Sequence, residues 1–147
     1  MLPFRKIVFP VDYSAPCVTI IPYVKDMLHH FRAELTLVHA AGLGLEQLVS
    51  GELTTADPLW HEKSLAIQKK KLQEFGAEMF PGQHVEALAE DGDPGTAIHR
   101  VIQHQGADLV MLPTHGLGPV RRFLLGSVAA KVLHDVTTVV WTGVHPL

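Results

Sequence analysis

Five short apolar runs punctuate the chain, and between them apolar residues recur every three or four positions. The runs are 6–11 (KIVFPV), 34–41 (ELTLVHAA), 83–89 (QHVEALA), 107–112 (ADLVML) and 137–142 (TTVVWT). Each has the length of a strand, and several are rich in β-branched residues. Apolar runs with little alternation suit strands covered on both faces. The third is the most polar and reads as lying nearer a sheet edge. Pro10 removes a ladder donor near the end of the first, so pairing should loosen there.

The intervening segments carry the helical period. Ser14 is a natural N-cap with Pro16 in the turn after it, and Val18, Ile21, Val24, Met27, Leu28 and Phe31 form one stripe, predicting a helix over 16–31. Pro22 lies inside it and requires a kink or a later start. Residues 42–55, with three glycines and no sustained period, read as a loop with at most a helical turn. After Asp57-Pro58 the period returns through Leu59, Trp60, Leu65, Ile67, Leu72, Phe75 and Met79, and Pro81-Gly82 ends it. Lys69, Lys70 and Lys71 spread around that helix and read as a solvated face. Asp93 is an N-cap with Pro94 at the first helical position of a helix over 94–104 that buries Ile98, Val101 and Ile102 and ends at Gly106. A last amphipathic pattern, SVAAKVLHDV, places Val128, Val132 and Leu133 on one face.

Strands alternating with helices imply parallel strands, right-handed crossovers and helices on both faces of the sheet. Periodicity leaves the strand order open. In an open sheet of this kind, ligands bind beyond the carboxyl ends of the strands, where the strand order reverses.

Composition narrows the class. The chain has 147 residues, 47% of them apolar and 18% charged, which suits one compact domain over 1–147. The net charge of −3 argues against a nucleic-acid surface. Cys17 is the only cysteine, so no intrachain disulfide forms. Arg5 and Lys6 interrupt the N-terminal apolar run, and no stretch approaches the roughly 18 apolar residues of a membrane span. A soluble protein of the cytoplasm, with no membrane contact, is expected.

The candidate chemistry lies in 112–128, LPTHGLGPVRRFLLGSV. It runs from a strand through a loop with Gly116 and Gly118 to Gly126-Ser127 at the start of a helix. Unpaired amides and the positive end of a helix dipole favour a phosphate there. Gly126 would allow close backbone approach, Arg121 and Arg122 add positive charge, and Ser127 serves either as N-cap or as a phosphate ligand. An ordinary capped helix after an ordinary turn is the other reading. Asp12 ends the first strand and suits either a ligand hydroxyl or the amides of its own turn. His115 reads as an oxygen donor or base, or as a loop residue bonded to backbone. The remaining histidines are scattered, and no G-x4-G-K-[S/T] or ordered catalytic triad is present.

THG followed by nine residues and GS resembles the universal stress protein family, whose ATP-binding members carry G-x2-G-x9-G-[S/T] after the fourth strand. Gly116, residues 117–125 and Gly126-Ser127 match, while Pro113 stands at the first glycine, adding a ring and removing a backbone donor. PVDYS, ELTLVHA and EDGDPGTAI resemble the family's first strand, second strand and turn into its third helix. The resemblance implies an α/β fold with an open five-stranded parallel sheet of order 3-2-1-4-5, like the adenine nucleotide alpha hydrolases. It implies a crevice between strands one and four, with a base near Pro10, Val11, Asp12 and Ala40. Ribose and phosphates would lie near Leu112, Gly116, Gly126, Ser127 and Val128. It further implies ATP, with Mg²⁺ near Asp12, bound as a ligand or signal in a stress response. Slow incidental hydrolysis would be the most catalysis expected. A homodimer through the last strand also follows. The rival expectation is a dimeric scaffold that binds no nucleotide and acts through protein contacts.

Overall fold

All five apolar runs become strands of one parallel sheet. β1 (Lys6–Pro10), β2 (Glu34–Ala41), β3 (Val85–Asp91), β4 (Leu109–Pro113) and β5 (Val139–Gly143) lie in the order β3-β2-β1-β4-β5. A computed structural model describes residues 3–41, 51, 54, 56–115 and 125–143. Most of the predicted loop over 42–55 lies outside these residues, as do Gly116, Gly118, Arg121 and Arg122. The third, fourth and fifth strands each begin two residues later than the sequence suggests.

Side chains alternate across the sheet and feed two cores. Ile7, Phe9, Leu35, Leu37, Leu109 and Met111 pack with Ile20, Ile21, Val24 and Leu28 on one face, joined by Leu72. Val8, Val38, Val110 and Leu112 pack with Ile98, Val101, Ile102, Ala129 and Val132 on the other. The first face therefore belongs to α1 (Ala15–Thr19), α2 (Ile21–Phe31) and α3 (Trp60–Met79), and the second to α4 (Pro94–Gln105) and α5 (Ser127–Asp135).

The conflict at Pro22 resolves by division. The predicted helix over 16–31 is two helices that break at Ile20, with Ser14 capping the first through Cys17 N–H and Pro22 in the first turn of the second. Pro22 thereby occupies a position where its missing N–H costs no helical bond. The break also rotates Val18 out of the predicted stripe, leaving it 42% exposed. In α3 the buried stripe is Ser64, Gln68, Leu72 and Gly76, with Leu65 and Ile67 half-buried at its margin and Leu59 exposed. Small and polar residues face the sheet because the helix lies close. A Cβ at Gly76 would sit 3.2 Å from both Leu37 Cδ1 and Val85 Cγ1. Lys69 and Lys70 are exposed as expected, and Lys71 holds its Nζ 4.4 Å from the centre of the Tyr13 ring. α4 matches its sequence signals, with Asp93 accepting from Thr96 N–H and Gly106 in the left-handed region at its end.

Leu72 is fully buried and ties α3 to the sheet. Leu72→Ala is expected to lower stability by about 2–5 kcal/mol, the range for a buried leucine truncated where the surroundings collapse only partly. Urea denaturation checks this, and an unchanged midpoint would show that α3 contributes little to the cooperative core.

Candidate functional site

The carboxyl ends of β1 and β4 do not pair, and the cause is visible in two residues. β1 pairs with β2 through five positions up to Pro10↔Val38, but with β4 only at Ile7↔Leu109 and Val8↔Val110. Val11 N–H donates to Val38 O on β2 at 2.8 Å. Successive strand amides point to opposite sides, so the N–H that Pro10 lacks belongs to the β4 side. On β4, Thr114 N–H donates to Gly143 O on β5 at 3.1 Å, so the N–H that Pro113 lacks belongs to the β1 side. Both prolines thus withhold donors from the same gap.

Over that gap lies a cavity of about 320 Å³, at the lower end of the roughly 300–1,000 Å³ of small-molecule sites. Of the residues singled out from the sequence, Pro10, Val11, Asp12, Ala40, Leu112, Gly126, Ser127 and Val128 all line it. Gly116, the ninth, lies outside the described residues. His115 and Pro113 line it as well. Val38, His39, Pro94, Ile98 and Ala129 complete the wall and were not singled out. Pro94 and Ile98 arrive because α4 packs across β1 and β2, a placement that no local pattern carries. Val38 was readable in principle, since it shares the β2 face of Ala40.

The turn after β1 is held by its own side chains. Asp12 Oδ1 accepts from Ser14 N–H at 2.9 Å, and its other oxygen has no partner among the described residues. Tyr13 adopts φ 62°, a left-handed conformation that costs a residue with a Cβ roughly 1–2 kcal/mol. Its ring is fixed by His39 at 5.2 Å and Phe75 at 5.3 Å between centroids. His39 Nδ1 lies 2.8 Å from Val11 O. A carbonyl only accepts, so Nδ1 carries a proton and donates it to Val11 O. Cys17 is buried behind this turn, its Sγ 3.9 Å from Pro10 O. Burial pushes its thiol up to about 12, which removes it from nucleophilic chemistry.

The opposite wall is the start of α5. Here one sequence reading needs correction. Gly126, not Ser127, is the N-cap, and no side chain caps the helix. Ser127 is the first helical residue because Gly126 is extended, at φ −64° and ψ 156°. Gly126 also fits closely against the end of β4. A Cβ there would lie 3.0 Å from His115 Cα and 3.3 Å from Thr114 O, and its N–H already donates to Thr114 O at 2.7 Å. The missing side chain lets the start of α5 lie against Thr114 and His115. Ala130 N–H is the first amide bonded back into the helix, to Gly126 O at 2.9 Å. The amides of Ser127, Val128 and Ala129 therefore have no partner among the described residues, and all three residues line the cavity. The predicted buried face of this helix also shifts, to Ala129 and Val132, with Leu133 43% exposed. His115 contacts Thr114 Oγ1 through Nδ1 at 3.2 Å.

The arrangement offers three amide donors and a helix dipole from α5, an apolar slot lined by Pro94, Ile98 and Val38, and one carboxylate oxygen of Asp12. It can hold an anion joined to an apolar group.

Comparison with known proteins supplies the family. The sequence matches the profile of the universal stress protein family over residues 3–142. It is 29% identical over 138 residues to a universal stress protein of Methanocaldococcus jannaschii, covering 90% of this chain and 77% of the relative. A universal stress protein of Methanothermobacter thermautotrophicus is 28% identical over 144 residues, covering 89% of each. Among solved structures, hypothetical protein MJ0577 superposes with a TM-score of 0.76 at 22% identity over 96% of both chains. A universal stress protein in complex with cAMP gives 0.64 at 19% identity, over 97% of this chain and 98% of that one. One from Archaeoglobus fulgidus in complex with dAMP gives 0.57 at 17%, over 96% and 98%. With nearly its whole length matched, the chain belongs to the universal stress protein family.

Proposed function

We propose that this protein binds an adenine nucleotide, with ATP the favoured ligand, in the cavity between β1 and β4, and that it uses the nucleotide as a signal in a cytoplasmic stress response. The observation that carries this reading is the convergence of the Ser127, Val128 and Ala129 amides, which have no partner among the described residues, on a cavity at the point where the strand order reverses. Relatives of the same fold crystallised with cAMP and dAMP support it. In this reading the phosphates meet the α5 amides and Ser127 Oγ. The base lies in the apolar slot near Val11, Ala40 and Ile98, and the free oxygen of Asp12 faces a ribose hydroxyl. Asp12 is the only carboxylate among the described lining residues. Mg²⁺ takes oxygen ligands and commonly arrives on substrate phosphates with one or two carboxylates, so Asp12 would hold it through water. Mass spectrometry of small molecules released from freshly purified, denatured protein tests the reading: recovery of adenine nucleotide supports it, and calorimetry showing no binding of ATP with Mg²⁺ overturns it.

A second element of the proposal is a homodimer through β5, which leaves room for a scaffold role even without nucleotide. β5 is a sheet edge, and Val139 is 55% exposed on it. Trp141 packs against Tyr23 at 5.4 Å between ring centres, and Tyr23 is itself 55% exposed beside it. Val18 adds to the exposed apolar surface of the same helical layer. An edge with unpaired amides and apolar side chains favours pairing with a second copy about a two-fold axis.

Three outcomes follow. Gly126→Val is expected to keep the fold but force apart His115 and the start of α5. Because one donor to a charged group is worth about 1.5–3 kcal/mol, affinity for ATP with Mg²⁺ should fall about tenfold or more by calorimetry. Unchanged affinity in the folded variant would remove this loop junction from the site. Pro113→Gly returns an amide to the gap and removes a ring from the cavity wall. A donor to phosphate at about 1.5–3 kcal/mol outweighs the roughly 0.4–1 kcal/mol of added chain entropy, so binding should tighten; weaker binding would mean that the proline shapes the site for its own ligand. Val140→Pro is expected to give a folded monomer by removing a ladder donor from β5. Light scattering alongside circular dichroism decides this, and either a monomeric parent at micromolar concentration or a folded, still dimeric variant would overturn it.

A further inference from the structure

We infer that Lys131 is a positioning residue for the nucleotide site: by bridging Asp93 and Thr96 across Gly95 it sets the separation of the two helix starts that frame the cavity. The inference rests on the nucleotide reading above. α4 contributes Pro94 and Ile98 to one wall, and α5 contributes Ser127, Val128 and Ala129 to the other. Lower down, Ile98 and Val101 belong with Ala129 and Val132 to one apolar core that fixes the helix bodies. Nearer the helix starts, the contact is between Lys131 and Gly95.

There Lys131, one turn beyond Ser127, crosses to the neighbouring helix. Its Nζ donates to Asp93 Oδ2 at 2.7 Å and to Thr96 Oγ1 at 2.8 Å. Asp93 Oδ2 also accepts from Thr96 N–H and Thr96 Oγ1, each at 3.0 Å. One carboxylate oxygen thus caps α4 and anchors α5. Among the described residues this is the only polar link between the two helices. The Lys131 hydrogen bond, followed by the Thr96 amide, holds the Asp93 carboxyl down at about 2, so that carboxylate stays ionised across the physiological range. Gly95 makes the crossing possible, because a Cβ there would lie 2.5 Å from Lys131 Cδ and 2.9 Å from Cγ. Those atoms are the middle of the stem rather than its mobile end, so the lysine must leave if a side chain is added.

An exposed ion pair adds little to global stability, with a typical worth below about 1 kcal/mol. Positioning two walls is a different task, in which small displacements change ligand contacts. Two variants separate these effects. Gly95→Ala displaces the lysine without altering any charge and improves helix propensity. The double substitution Asp93→Asn with Lys131→Met removes the ion pair while retaining a capping side chain and the net charge. Both are measured in the full chain for ATP affinity with Mg²⁺, melting temperature, and amide hydrogen exchange over residues 95–98. The expected result is affinity roughly fivefold weaker, the scale of an exposed pair, with faster exchange over 95–98 and a melting temperature no lower than a few degrees below the parent's. Unchanged affinity in both variants overturns the inference, as does unchanged exchange. Affinity that falls only in step with melting temperature also overturns it, because the role would then be structural alone. A parent that binds no ATP overturns the nucleotide reading and the ligand half of this inference with it, while exchange still decides whether the bridge holds the start of α4.

Discussion

The interaction on which the site depends is one that is missing. A parallel sheet with helices on both faces is ordinarily sealed by its ladder bonds, and β1–β4 pairing stops after Val8↔Val110. The topology alone parts the connecting loops at this place, since the chain leaves β1 toward one face and β4 toward the other. Pro10 and Pro113 extend the parting into the sheet by denying it donors. The cavity and the convergence of β1, β2, α4 and α5 residues follow from that opening. The vacated carbonyl of Pro10 does not stay bare toward the core, because Cys17 Sγ approaches it from α1.

Around this gap, rigid elements hold short polar segments in place. The Asp12–Ser14 turn is bonded by its own carboxylate and carries the left-handed Tyr13, whose ring is locked by His39 and Phe75. The cost of that conformation is offset by packing on α3, so a helix on one face stabilises a lip that serves the other. On the far side, the Gly126 N–H bond to Thr114 O ties the start of α5 to the end of β4, and the first-turn amides of α5 have no partner among the described residues. A side chain at Gly126 would meet His115 and Thr114, so substitution there disturbs the junction of β4 with α5.

The element pattern was largely legible. Both-face burial gave near-continuous apolar runs, and each of the five became a strand. Asp93-Pro94 and Gly106 marked both ends of α4 through local bonds that any chain would make. Errors arose where a tertiary neighbour overrode a local preference. Ser127 looked like a cap, but the contact between residue 126 and His115 made the glycine the cap instead. In α3 the large apolar side chains suggested the buried stripe, yet close approach to β2 and β3 selected Ser64, Gln68 and Gly76 for the interface.

By itself, then, the sequence determined which segments are strands and helices, because hydrophobic period and capping chemistry act over a few residues. Its family motif also located most of the cavity wall, including Pro10, Asp12, Ala40, Ser127 and Val128. Only the tertiary structure decided that Pro94 and Ile98 join that wall, that the missing amides of Pro10 and Pro113 face one gap, and that Lys131 reaches Asp93 over Gly95. These depend on residues brought together from distant parts of the chain. Which side of a strand an amide faces, and which helix lies beside another, are fixed by packing and register, quantities that no local stretch of sequence contains.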